Sequence, residues 1–189
     1  MDTTVLVDRD IENGRRLIDD LDRSKFVLDG ALWFYFAETG EWRLLLVSPL
    51  VDTIGPKRCY TVIQSAIEDL PQDFRISLER ISVISPKDNL VRLLRIAIST
   101  GRKISTIRFT RNTINGVFIE DALIYRLMAK TLAEYTDKEL EKSIEVHETE
   151  IAKDKQTKIP TKDLLDGIKA KESFLKQLYA ERDRRRDKK

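Results

Sequence analysis

Hydrophobic and polar positions follow two successive regimes along the chain. Ile11, Leu17, Ile18 and Leu21 recur at helical spacing, with Arg15, Arg16, Asp19 and Asp20 largely opposite them. That pattern predicts an amphipathic surface helix capped by Asp8 and ending near Ser24. From Leu28 to Ala37 and from Trp42 to Leu50 the residues are almost continuously apolar, with the turn formers Glu38, Thr39, Gly40 and Glu41 between them. This reads as a β-hairpin. Neither strand alternates cleanly, so both are expected to be covered on two faces, near the centre of a sheet.

Gly55 and Pro56 then open a helix that turns Tyr60, Ile63, Ile67 and Leu70 inward and ends at Pro71. A third strand is predicted over 75–85, with a bulge near Glu79 and Arg80 where the alternation shifts register. Ser85, Pro86, Lys87 and Asp88 have the order of a capping box with proline in the first turn. A helix follows through Leu90, Leu93, Leu94, Ala97 and Ile98, with Gly101 as its expected stop. Asn115 and Gly116 separate two further apolar runs, 104–114 and 117–126, and suit the positive φ angles of a type I′ hairpin turn. The element order predicts an α+β or α/β domain: a mixed sheet of about five strands, with two hairpins flanking two right-handed strand-helix-strand crossovers.

After about Met128 the regime changes. Leu140, Ile144 and Ile151 form one thin apolar stripe, and Leu164, Ile168, Leu175, Leu178 and Tyr179 a second, with the interruption near Gln156 to Pro160. Residues 137–155 carry 7 acidic and 4 basic groups, and residues 156–189 carry 11 basic and 6 acidic, so the two helices have opposite net charge. The pattern predicts an antiparallel helical hairpin or coiled coil. The expected division is a core domain over 1–128 and a charged helical arm over 129–189. Seven of these stripe residues, Leu140, Ile144, Ile151, Leu164, Ile168, Leu175 and Leu178, are candidates for self-association or for holding a protein partner.

Composition adds limits. Charged residues make up 35% of the chain, so much of it must be solvated surface or polar helix. A single cysteine excludes an intramolecular disulfide framework and fits a reducing, cytoplasmic compartment. The first ten residues contain aspartates and lack the order of a secretory signal, and no run of about 18 apolar residues predicts a membrane span.

The usual catalytic signatures are missing: there is no phosphate-binding loop, no nucleophile elbow and no pair of metal-spaced histidines. His147, among Glu145, Glu148 and Glu150, reads as a solvated helix residue, and Cys59 as a packed, inert thiol beside Tyr60 and Ile63. Two strand-to-helix turns, containing Asp52 with Lys57 and Lys87 with Asp88, would meet at one sheet edge if their strands are parallel neighbours. Asp52 and Asp88 could then share Mg²⁺, with a lysine on phosphate, as in a metal-dependent nuclease or phosphodiesterase. The simpler reading gives Asp88 to the cap and Asp52 to the turn.

Charge is segregated. Residues 89–128 hold 7 basic and 2 acidic groups, a net +5, whereas residues 1–88 are net −5. The stretch 89–119 contains Arg92, Arg95, Arg102, Lys103, Arg108 and Arg111 and no acid. Helical spacing puts Arg92 and Arg95 opposite the apolar face, with Ser99 and Arg102 extending that side. Strand spacing puts Arg108 with Thr106, Thr110 and Asn112. Such a set suits phosphate contacts, unless Glu120, Asp121 or the acidic first helix neutralises it. Arg184, Arg185 and Arg186 are a second basic run, read as a solvated helix end. The expectation is a non-catalytic accessory protein with a basic surface, acting in a protein assembly, with nucleic acid a candidate partner and no cofactor.

Overall fold

The computed structural model describes residues 5–156 and 161–187. They divide into two compact units, Met1–Ala129 and Lys130–Lys189. The first is a single α+β domain built on a mixed five-stranded sheet in the order β3-β2-β1-β5-β4. Its strands are β1 (Gly30–Phe36), β2 (Glu41–Val47), β3 (Ile81–Ile84), β4 (Ile107–Ile114) and β5 (Val117–Leu127). Its helices are α1 (Asp8–Arg23), α2 (Leu50–Ile54), α3 (Pro56–Asp69) and α4 (Asn89–Ala97).

The first hairpin is central, as its unbroken apolar runs imply. β1 pairs antiparallel with β2 on one side and with β5 on the other, and six of its seven residues are buried. Alternate residues feed two cores. Ala31, Trp33, Leu44 and Leu46 pack under α1 and α3, against Leu17, Ile18, Leu21 and Ile63. Leu32, Phe34, Leu45 and Val47 face the other way, toward Val91 and Leu94 of α4. The pleat thus gives β1 and β2 two buried faces each.

Between β1 and β5 the register shifts at Ala31 and Leu32, leaving Tyr125 as an extra residue. Both Tyr125 and Arg126 consequently turn toward α1. The Tyr125 hydroxyl donates to Ile11 O at 2.5 Å and accepts from Trp33 Nε1 at 3.1 Å. A Cβ on Gly14 would lie 2.6 Å from that hydroxyl, so only glycine fits there. Arg126, 2% exposed, forks onto both carboxylate oxygens of Asp22, at 3.0 and 2.5 Å. A buried guanidinium needs such a partner, because an uncompensated interior charge is costly.

Several expectations are corrected. Asp8 begins α1 instead of capping it; it lies in the first turn with Asp10, where the helix dipole favours acids. No strand covers 75–80: Gln72–Phe74 and Leu78–Arg80 are 3-10 turns, and β3 starts only at Ile81. The shift in alternation is therefore a turn, not a bulge. α4 ends at Ala97, with Ile98 extended, because Thr100 bonds to β5 through its N–H to Leu127 O at 2.8 Å. Gly101 is no cap. Among the described residues only β2-α2-α3-β3 is a parallel crossover between strands of the sheet. β3 and β4 occupy opposite edges and, by the pairing chain, run in opposite directions. The second hairpin follows its sequence signal, with Asn115 at φ 48° and Gly116 at φ 80°.

The second unit is an antiparallel pair, α5 (Asp137–Lys155) and α6 (Lys162–Arg186). Thr136 and Glu139 form the capping box of α5: Glu139 N donates to Thr136 Oγ1 at 3.2 Å and Thr136 N donates to Glu139 Oε2 at 2.8 Å. Leu140, Ile144, Ile151, Ile168 and Leu178 are buried. Ion pairs flank them, Lys171 with Glu150 and Asp154, Lys155 with Glu172, and Arg186 with Glu141. The expected break at Pro160 lies outside the described residues. No helix among the described residues is long and apolar enough to cross a membrane.

Candidate functional site

The acid-free stretch forms a continuous run of chain from α4 through a loop into β4. Asp88 caps α4 by accepting from Leu90 N at 2.8 Å, and Val91 and Leu94 fix its buried face. Arg92 therefore projects to solvent, while Arg95 is half-buried and its Nη1 donates to Pro86 O at 3.4 Å. Ser99 and Arg102 do not continue that face, since the helix has ended. The loop is instead pinned at two points. Thr100 exchanges bonds with Leu127, and Ser105 N donates to Tyr125 O at 2.7 Å. Arg102 and Lys103 lie exposed between the pins.

On β4 the expected row of basic and polar groups divides. Arg108 forms an ion pair with Asp121, sits 5.1 Å from the Trp42 ring centroid, and shares Asp121 with the Thr110 hydroxyl at 3.2 Å. Its charge is largely neutralised within the sheet. Arg111 has φ 47°, a left-handed conformation rare for a side chain of this kind. Beyond it, Ile119, the partner of Asn112, enters the same core as Ala122, which strict alternation along β5 would forbid. Asn112 consequently no longer shares a side with Arg108. Among the described residues, no carboxylate pairs with Arg102, Lys103 or Arg111.

The hairpin tip adds a residue the sequence reading passed over. Phe118 is 61% exposed and Val117 48%, directly after the Asn115-Gly116 turn. An aromatic residue within an acid-free run was the available signal.

The Asp52 and Asp88 turns do meet, because β2 and β3 are parallel neighbours. Asp52 Oδ2 accepts from Ser85 Oγ at 3.0 Å and lies 3.2 Å from Lys87 Nζ. Asp88 is the α4 cap. Lys57 is exposed at the start of α3. Both carboxylates thus hold the local chain, one tying the two turns together and the other closing a helix. Among the described residues no three His, Cys, Asp or Glu side chains gather as a metal-binding group.

A cleft of about 620 Å³ bordered by Val7, Gly40, Trp42, Arg43 and Arg80 was not legible from sequence, because topology alone assembles it. Its cations are engaged: Arg80 forks onto Asp10 at 2.8 and 2.9 Å, and Arg43 Nη2 donates to Glu79 O at 2.7 Å. Cys59 is fully buried, which raises its thiol pKa and keeps it protonated. His147 is half-buried; its Nδ1 lies 2.8 Å from Ser143 O and the ring packs 5.1 Å from Phe174.

In the helical unit, five of these seven stripe residues are buried, Leu175 packs against the cluster of Leu140, Ile144 and Leu178, and Leu164 is partly buried. Arg184 and Arg185 pair with Glu181, and Arg185 also reaches Asp137 and the carbonyls of Leu132 and Tyr135. The bonds from Arg184 and Arg185 hold the Glu181 carboxyl down to about 2. The chain matches no family model, no curated protein and no solved structure.

Proposed function

We propose that this chain is a non-catalytic accessory protein of a cytoplasmic assembly, which binds a polyanionic partner, nucleic acid, through the basic surface of its sheet unit. The observation that carries this reading is the pinned loop. Thr100 and Ser105 fix it to β5, and Arg102 and Lys103 stand exposed on it without a carboxylate partner among the described residues. A fixed loop loses little conformational entropy on binding, and unpaired cations release counterions from phosphates. Arg111 extends the surface, whereas Arg108 supports it from within through Asp121. The helical unit supplies the protein contact. With most of its apolar stripe in its own seam, exposed Val146, Leu165 and the charged flanks are what a partner or a second copy meets.

The test is fluorescence anisotropy with labelled oligonucleotides over a salt series. Affinity is expected to fall steeply with salt, and Arg102→Glu with Lys103→Glu to weaken binding and lower the slope of log K against log salt by about 1 per lost phosphate contact. Circular dichroism checks that the double variant is folded. Binding by this variant equal to the parent at every salt concentration overturns the reading.

A further inference from the structure

We propose that the nucleic acid taken by this surface is single-stranded, with phosphates on Arg102, Lys103 and Arg111 and an unpaired base stacked on Phe118. The proposal rests on the reading above and adds the class of strand.

The argument begins with the hairpin's shape. β4 is the edge of the sheet, and six of its eight residues are exposed. Asn115 and Gly116 turn the chain tightly, and the next two residues, Val117 and Phe118, are the apolar residues left most open on this hairpin, at 48% and 61%. Phe118 pairs across the strands with Thr113, so its neighbour is small and leaves the ring uncovered. Next to it in the register lies Thr113, with Asn112 and Asn115 flanking Thr113 and Ile114 in the chain and the irregular Arg111 preceding Asn112, all exposed save Ile114. The first carboxylates beyond are Glu120, half-exposed, and Asp121, already held by Arg108 and Thr110. An exposed ring on a basic, acid-free hairpin edge is the composition of a stacking platform: any base can lie on it, while the charges follow the backbone.

Stacking selects the strand. In a duplex both faces of an interior base are covered by its neighbours, so a side chain reaches them only by unstacking, which costs a few kcal/mol. An unpaired base offers its face directly. The spacing selects an oligomer. Lys103 precedes β4 at Ile107 and Phe118 lies beside Thr113, six residues further along the strand, so at ~3.3 Å per residue about 20 Å separates the two, beyond the reach of a mononucleotide.

The experiment measures anisotropy with single-stranded DNA, single-stranded RNA and a DNA duplex of equal length, and with polyglutamate as competitor. Tighter binding of either single strand than of the duplex is expected. Phe118→Leu, which keeps an apolar side chain at an exposed site, should lose about tenfold for single strands, the effect of one stacked base. Phe118→Trp should retain affinity, and its indole fluorescence should be quenched by the oligonucleotide beyond any change in the parent. If Phe118→Leu binds single strands as the parent does while Arg102→Glu with Lys103→Glu still weakens them, stacking is overturned and the basic-surface reading stands. Equal affinity for duplex and single strand, or displacement by polyglutamate at matched charge, overturns the inference in the same way. Loss of no affinity in either variant removes both.

Discussion

The two units are held together by different physics. In the sheet unit Trp33, Leu44, Leu46, Leu17 and Ile18 are fully buried, and two apolar layers sandwich every central strand. In the helical unit a few apolar residues, Leu140, Ile144 and Leu178 among them, form the seam, and carboxylate-cation pairs on both flanks complete it. Apolar burial is non-directional and is not screened by salt, whereas an exposed ion pair contributes ~0–1 kcal/mol and is screened. The sheet therefore has rigidity in reserve for presenting a surface. The helical pair has a balance that salt, pH or a partner can tip.

The largest effect should come from deleting the centre of the sheet. Trp33→Ala removes a fully buried ring and the donor to the Tyr125 hydroxyl. A loss of about 3–5 kcal/mol is expected. Hydrogen exchange on the full chain should accelerate throughout β1, β2 and β5 and leave α5 and α6 as protected as in the parent. Equal acceleration in both regions would mean that they unfold as one body and that the contrast drawn above is false.

How much of this could be read beforehand follows the same division between local and distant causes. The Asn115-Gly116 hairpin, proline at the start of α3 and the opposite charges of α5 and α6 are decided by neighbours in sequence, and each was legible. Residues 75–80 read as strand because Ile76 and Leu78 alternate, yet distant and local bonds make turns of them: Arg80 reaches back to Asp10 on α1, and Arg75 to the carbonyls of Glu68 and Leu70. The end of α4 was displaced from Gly101 by Thr100 finding Leu127. In the candidate site the same rule applies. The exposed cations of the loop follow from composition, but the neutralisation of Arg108 needed the register that sets it beside Asp121. The left-handed Arg111, which separates Asn112 from Arg108, has no signature in residue type at all.

A middle-sized effect tests a polar position inside the apolar unit. Asp88→Ala deletes the cap on Leu90 N and should cost about 1 kcal/mol, with faster exchange confined to the first turn of α4. Neither this change nor Asp52→Asn should alter any phosphodiester hydrolysis assayed with Mg²⁺, since both carboxylates are assigned to holding turns. Turnover present in the parent and abolished by either variant would restore the metal-dependent nuclease.

The smallest effect belongs to the helical unit and separates the two regions by pH. Glu139 accepts from the Thr136 backbone N–H, its main stabiliser, and from Lys130 Nζ at 2.9 Å, and these bonds lower its carboxyl from 4.5 to about 2. A depressed folded value means that the carboxylate stabilises the folded state fully above the unfolded value and loses that contribution as pH falls toward 2. Glu181, also at about 2 through Arg184 and Arg185, acts in the same window. Protection of α5 amides should therefore decline between about pH 4.5 and 2. Glu139→Gln keeps the side chain's shape and one acceptor oxygen but cannot titrate, so its hairpin should begin slightly less stable at neutral pH and show a shallower decline. An unchanged acid profile in Glu139→Gln would assign the decline to other carboxylates, and the capping box would then contribute through its hydrogen bonds alone.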